Sequence, residues 1–339
     1  MTMRAFLFCL LLVPLLPATS HAGARLDAMA GDGLLLADAD ADHLWPAALA
    51  DHAPALALRG WLATGEQEDR PREGAGGPDV RLVLGEAGVV RGFWYGHADA
   101  GPARADKGVQ GAWRFQGLNV GVAWHETTFE REQPGDGRRR SFDLGLRLAP
   151  TRALIDLTAA AATYEDDRDQ EQFATLRLRI HLQLSEAVTA VAVAEERGGP
   201  DWSFEGWGLS GGLLFWPDAD LQILVGWREQ GQDRRWYGVD GQPLAPDLRF
   251  WQDGSRGPHL AAELRPSAWW SWRAGARVQW PREGEARSPG TWLGLGGSLH
   301  AGDWDLVAAW SRRESSAAPG LFPSDTADTR LRLDLIRFF

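Results

Sequence analysis

Apolar and polar residues alternate with a period of two along most of this chain. From Pro54 onward one unit recurs: an alternating stretch, a short turn, a second alternating stretch and a longer polar loop. A period of two is the signature of a strand with one apolar and one polar face. It predicts strands over 55–64, 79–85, 89–97, 109–116, 118–127, 142–149, 153–163, 173–184, 188–196, 205–216, 221–229, 259–265, 269–280, 291–300, 304–312 and 328–339. Short turns such as the one at Gly117, Pro150-Thr151, and Pro217-Asp218-Ala219-Asp220 alternate with loops rich in Asp, Glu, Arg and Gly. The facing of 89–97 is ambiguous from the pattern alone.

An even number of strands, with turns short on one side and loops long on the other, predicts an all-β fold. It is a transmembrane antiparallel β-barrel of about sixteen strands, with about fourteen as the alternative. Strands of roughly ten residues suit a tilted crossing of a bilayer. A soluble β-propeller or lipocalin-like barrel is the competing architecture. The last strand argues for the membrane. Leu331, Leu333 and Leu335 alternate with Arg330, Arg332 and Asp334, and the chain stops at Phe339. This resembles the C-terminal strand of bacterial outer-membrane β-barrels, which ends in Phe and is read by the barrel-insertion machinery. Under that resemblance Leu333, Leu335 and Phe339 form the assembly signal. Arg337 departs from it by falling on the apolar parity, where a long side chain can snorkel.

If the apolar parity faces lipid, the opposite parity faces a lumen. It collects Arg59, Arg81, Arg114, Arg147, Arg177, Arg179, Arg273, Arg277, Arg330 and Arg332. The inward acids are fewer: Asp143, Asp156, Glu263, Asp305 and Asp334. Guanidinium groups in a narrow pore raise the local anion concentration. Arg177, Arg179 and His181, on one face of one strand, are the candidate constriction. The competing reading is that these arginines pair with acids and satisfy a polar interior.

The first part of the chain has no strand pattern. Met1 to Ala22 reads as a signal peptide: Arg4, an apolar core from Ala5 to Leu16, then Ser20-His21-Ala22. Cys9 lies within it, so the remainder has no cysteine and needs no disulfide framework. The expected organisation is signal 1–22, an N-terminal periplasmic or plug segment 23–53, and a barrel 54–339. Asp38-Ala39-Asp40-Ala41-Asp42-His43-Leu44-Trp45-Pro46-Ala47 resembles the N-terminal plug region of the long-chain fatty acid transporter family, where an acidic Ala-rich stretch precedes Asn-Pro-Ala. Here Trp45 stands at the Asn position. Charge complementarity makes this segment, with Trp45, a candidate plug: Asp32, Asp38, Asp40 and Asp42 would pair in the lumen with Arg177, Arg179, Arg330 and Arg332. An unstructured periplasmic tail is the alternative. The Asp spacing also mimics a calcium loop, but His43 and Leu49 occupy its glycine and glutamate positions, which excludes an EF-hand.

Composition sharpens this picture. The chain has 18 Trp, 13 Phe and 40 Gly. Trp113, Phe115, Trp216, Trp269, Trp270 and Trp304 fall beside short turns, whereas Trp124, Trp227, Trp280 and Trp310 fall near long loops. Two aromatic belts at opposite strand ends fit membrane interfaces. Formal charge is −11, or −12 without Arg4, which argues against nucleic acid as a partner. Expected partners are outer-membrane lipids, lipopolysaccharide and the insertion machinery. The sequence leaves the oligomeric state open.

No catalytic motif, metal site or cofactor motif stands out, and no cofactor is expected. The acidic loop Glu165-Asp166-Asp167-Arg168-Asp169 offers only a weak divalent-cation site. The leading functional expectation is a channel or transporter for small anionic or amphipathic solutes. A structural barrel with a blocked lumen and a lipid-modifying enzyme are the alternatives.

Overall fold

The computed structural model describes residues 29, 35, 44–65, 72–74, 78–84, 88–97, 104–129, 137–165, 170–198, 204–234, 255–281, 290–316 and 325–339. Residues 1–22, with Asp32, Asp38, Asp40 and Asp42, lie outside the described residues. So do the side chains of Arg59, Arg81 and Arg330.

The strands, in chain order, are β1 (Ala55–Gly65), β2 (Arg72–Gly74), β3 (Pro78–Leu84), β4 (Gly88–His97), β5 (Arg104–Phe115) and β6 (Leu118–Phe129). Next come β7 (Gly137–Leu148), β8 (Ala153–Glu165), β9 (Gln170–Ser185), β10 (Val188–Gly198), β11 (Phe204–Phe215) and β12 (Leu221–Arg234). The last are β13 (Ser255–Ser267), β14 (Trp270–Pro281), β15 (Gly290–Ala301), β16 (Trp304–Ser316) and β17 (Asp325–Phe338). All belong to one sheet of seventeen strands, and each neighbouring pair is antiparallel. The sheet closes on itself where β1 pairs with β17, from Ala55↔Phe338 through Arg59↔Asp334 to Gly65↔Asp328. Closure leaves no open edge around most of the wall, which is what a strand-built membrane span requires. Among the described residues no helix is long and apolar enough to cross a membrane.

β2 and β3 share one place in the order, so the wall is sixteen strands round. β2 pairs with Trp61–Ala63 of β1, and β3 pairs with Ala55–Leu58. β4 pairs with β3 only over Gly88–Phe93, while Trp94–His97 continue along β5. Among the described residues no ladder joins β2 to β4.

The expected facing holds. Leu144, Leu146, Leu148, Leu176, Leu178 and Leu182 are exposed on the outside, whereas Asp143, Arg147, Asp156, Arg177 and Arg179 are buried inside. Leu331, Leu333 and Leu335 face out, and Asp334 and Ile336 face in. Arg337 does lie on the outer parity. Its guanidinium packs over the Trp304 ring (5.4 Å) and the Phe339 ring (5.2 Å), so aromatic faces hold it at the barrel end. The ambiguous strand β4 turns Val89 and Arg91 inward and Trp94 outward.

Turn chemistry fixes the short connections. Gly117 takes φ 74° between β5 and β6 and Gly302 takes φ 62° between β15 and β16, a region that favours glycine. Asp218 Oδ1 accepts the backbone N–H groups of Asp220 and Leu221, closing the β11–β12 turn. β13 runs two residues past the expected strand end at 265, through a register shift between Leu264 and Ser267.

One aromatic expectation needs correcting. Trp216 does not join an outer belt. It shares the inward parity of Leu214 and packs against an interior apolar cluster that includes Leu214, Leu224, Met29 and Trp45. Trp227 and Trp280, by contrast, approach each other on the outer face (6.0 Å) at the long-loop end.

Candidate functional site

Buried charged residues of the described strands converge on the lumen, and part of the N-terminal segment lies against its wall. A short 3-10 helix, Pro46–Asp51, follows Trp45. Proline at its first position suits a φ already near the helical value. Ala48 donates its N–H to the Trp45 carbonyl (2.8 Å), and His52 donates to Leu49 (3.1 Å). Pro46, Ala47, Ala48 and Leu49 are buried, and the helix packs against β4–β8.

The wall accommodates it with glycine. Gly121 on β6 and Gly145 on β7 are register partners on the inner face. A Cβ at Gly121 would stand 2.2 Å from the Pro46 carbonyl carbon, and one at Gly145 would stand 3.0 Å from the Ala47 nitrogen. Farther round, a Cβ at Gly226 would meet Leu35 at 2.7 Å, and one at Gly275 would meet the Met29 carbonyl carbon at 2.1 Å. His259 contacts the Met29 carbonyl oxygen through Nε2 (2.8 Å). From Met29 through Leu35 and Trp45 to Leu49, the contacts therefore step from β13–β14 to β12, β9, β6–β7 and finally β4–β5.

Polar groups pin the end of the segment. Asp51 accepts hydrogen bonds from Arg114 (3.0 Å), Asn119 (3.0 Å) and Arg147. Arg114 also donates to the Ala50 carbonyl (2.8 Å). Arg147 reaches in the other direction to Asp156 (2.6 Å), which also accepts from Arg179 (2.7 Å). The Arg179 guanidinium in turn lies 4.4 Å from the centre of the Trp45 ring. Asp51, Arg147, Asp156, Arg179 and Trp45 thus form one continuous chain of ionic and cation–π contacts from wall to segment.

Sequence reasoning placed Arg147, Arg177, Arg179, Arg273, Arg277 and Arg332 on the inner parity, and they lie there, though not as a bare cationic lining. Arg177 pairs with Glu195, Arg273 with Glu263 (3.0 Å) and Arg332 with Asp334 (3.3 Å). The Arg277 guanidinium lies over Trp292 (4.5 Å). Glu195 was absent from the expected inward acids, and so was Asp51. His181 shares the face of Arg177 and Arg179; among the described residues its Nε2 has no hydrogen-bond partner. Arg330 pairs through its backbone with Ser311 on β16. Among the described residues of the N-terminal segment, Asp51 is the acid that meets wall arginines, and its partners are Arg114 and Arg147.

A stronger signal for the seated segment lay in β10–β12. Val188 to Ala194 and Leu221 to Val225 carry apolar residues on both parities, with Thr189 and Gln222 the exceptions, as strands largely covered on both faces do. Their inward residues Val191, Val193, Leu214 and Leu224 receive Met29, Leu35 and Trp45.

A second inner network lies on β13–β16. Ser298 Oγ stands 3.1 Å from His300 Nε2, and His300 Nδ1 stands 2.6 Å from Asp305. That order resembles a Ser-His-acid relay. Ser298, however, is only 4% exposed, and its Oγ also meets Ser271 (2.6 Å) and Arg273 (3.2 Å). Adjacent backbone N–H groups are committed to strand ladders, which supplies no oxyanion donors. It reads as a hydrogen-bonded stretch of wall.

No protein-family model and no curated protein matches this chain. Solved structures do match. The CymD monoaromatic hydrocarbon channel superposes with a TM-score of 0.53 at 13% identity, covering 95% of this chain and 98% of that one. CdiB from Acinetobacter baumannii gives 0.58 at 12% identity, covering 84% of this chain and 60% of that one. The Ralstonia pickettii toluene transporter TbuX gives 0.50 at 13% identity, covering 95% and 100%. At such identities the likeness speaks to fold, and with the apolar exterior and closed wall it gives this chain the architecture of a bacterial outer-membrane β-barrel.

Proposed function

We propose that the protein is an outer-membrane channel for small amphipathic solutes bearing an anionic group, with residues 23–53 acting as a plug seated from the short-turn end. In this reading residues 1–22 export the chain and are removed, and the strand ending in Phe339 recruits the insertion machinery. The observation that supports it most is the seating of Trp45–Asp51 on Gly121 and Gly145, with Asp51 held by Arg114, Asn119 and Arg147. A sixteen-stranded wall is too wide to be filled by its own side chains. Filling it with a chain segment rather than with bulky wall residues leaves the obstruction removable.

The inner surface suits an amphipathic solute. An apolar strip of Ala55, Ala57, Val307, Ala309 and Ile336 crosses β16, β17 and β1 on the inner parity; it is covered in this state and would meet a solute only once its cover is displaced. Arg332 is the register partner of Ala309 within that strip. Two fold neighbours, a monoaromatic hydrocarbon channel and a toluene transporter, support the apolar part of this reading.

Liposome swelling tests the reading. Proteoliposomes of the chain lacking 30–49 should admit benzoate faster than benzylammonium or an uncharged sugar of similar size. Replacing Arg177 and Arg179 with Gln should narrow that difference. Equal exclusion of all three solutes would instead favour a structural barrel with a blocked lumen.

A further inference from the structure

The outer face of β5–β7 carries a cationic cluster that lumen transport does not use. Lys107, Glu126 and Arg140 are direct register partners on the lipid-facing parity. Glu126 receives Lys107 Nζ at 2.7 Å and Arg140 Nε at 3.0 Å, and Arg138 Nε lies 3.9 Å away. Glu126 is nearly buried, at 8% side-chain exposure, whereas Lys107, Arg138 and Arg140 stay about half exposed at 50%, 47% and 45%. Three cations around one sunken carboxylate leave a formal excess of two positive charges. The exposed Glu165, 4.0 Å from Arg140, offsets one at the rim.

The row immediately toward the membrane is Val109, Trp124 and Phe142, in register and exposed. Leu144 continues the apolar surface below it. The cluster therefore sits where an apolar wall gives way to polar loops, at the long-loop end of the strands.

The geometry points to a binding site for the phosphorylated headgroup of an outer-leaflet glycolipid, lipopolysaccharide, at Lys107, Arg138 and Arg140. Its acyl chains lie along Val109, Trp124, Phe142 and Leu144. Glu126 acts as the anchor that gathers the cations. An ammonium group has three donors and a guanidinium has five, so one carboxylate cannot use them all. Two guanidinium groups and an ammonium offer a phosphate charge-assisted hydrogen bonds at the depth where it lies. A lipid with no net headgroup charge would leave the excess positive charge uncompensated. The site rests on the proposed outward orientation of the long loops but is independent of whether the lumen conducts.

The test uses the purified full chain in detergent, titrated with bisphosphorylated lipid A and with its dephosphorylated form and read by native mass spectrometry. Wild type should bind the phosphorylated form preferentially. The triple variant Lys107→Gln, Arg138→Gln, Arg140→Gln should bind it about tenfold more weakly and the dephosphorylated form unchanged. Heat-shifted electrophoresis verifies that the barrel has formed. Glu126→Gln keeps an amide oxygen that accepts from the cations while removing the competing negative charge, and should bind phosphorylated lipid as well as wild type or better. Arg138→Lys with Arg140→Lys should retain most of the preference. Absence of a preference in wild type, or an unchanged preference in the triple variant, would overturn the proposal. So would a triple variant that only unfolds at lower temperature with lipid binding unmoved. Unchanged channel conductance in the triple variant would separate this site from the transport reading.

Discussion

Arg147 Nη1 donates a hydrogen bond to Asp51 Oδ2 across 96 residues of sequence, and its Nε donates to Asp156 at 2.6 Å. One guanidinium thus joins the inner wall to the last residue of the seated helix. The two ends of this link differ in burial. Arg147 and Asp156 are almost fully buried, whereas Asp51 retains 28% side-chain exposure. Asp51→Asn should therefore loosen the segment at modest cost, about 1–2 kcal/mol. Arg147→Met strands the buried Asp156 carboxylate with Arg179 alone of the pair and should cost about 3–5 kcal/mol. Denaturant unfolding of the two variants should show that order. A larger loss for Asp51→Asn would place the strength of the link elsewhere.

The glycine seat predicts a graded series. A methyl at Gly121 meets the Pro46 backbone at 2.2 Å, which no side-chain rotation relieves, whereas at Gly145 the nearest contact is 3.0 Å. Gly121→Ala should displace the helix and expose residues 44–51 to protease at the short-turn end. Gly145→Ala should do so weakly. Equal protection in both variants and wild type would mean that the segment is not held by this approach.

Facing can be tested with one charge. Leu144 is 45% exposed on the outer parity near mid-strand, so Leu144→Arg should destabilise the barrel by about 2–4 kcal/mol. Gln183 lies on the opposite parity near the β9–β10 turn, and Gln183→Arg should be tolerated. Reversible unfolding in lipid vesicles reads the difference. Equal tolerance would contradict the assignment of lipid and lumen faces.

The wall was legible in the sequence because strand alternation is local. Leu144 and Arg147 declare their faces by parity alone, and Gly117 declares its turn. The inside was less legible because its partners are distant. Nothing local distinguishes Asp51 from the acids before it, yet Asp51 is the one that meets Arg114 and Arg147. Parity named Arg177 as a lumen cation but did not reveal that Glu195, in register on the next strand, accepts its hydrogen bond. Trp216 looked like an interfacial residue because it follows a strand end, and its inward packing follows from the interior cluster that Met29, Leu35 and Trp45 build with Leu214 and Leu224. The two-sided apolar character of β10–β12 was the sequence's own sign that something covers their inner face.

Single-channel conductance in planar bilayers tests the central claim, that the N-terminal segment closes an otherwise conducting barrel. The intact chain after removal of 1–22 should show small, infrequent openings. The same chain lacking 30–49, which removes Leu35, Trp45 and most of the helix that sits on Gly121 and Gly145, should conduct steadily and favour anions. Identical conductance in the two proteins would contradict the account, and a pore that opens but prefers cations would contradict its arginine-lined lumen.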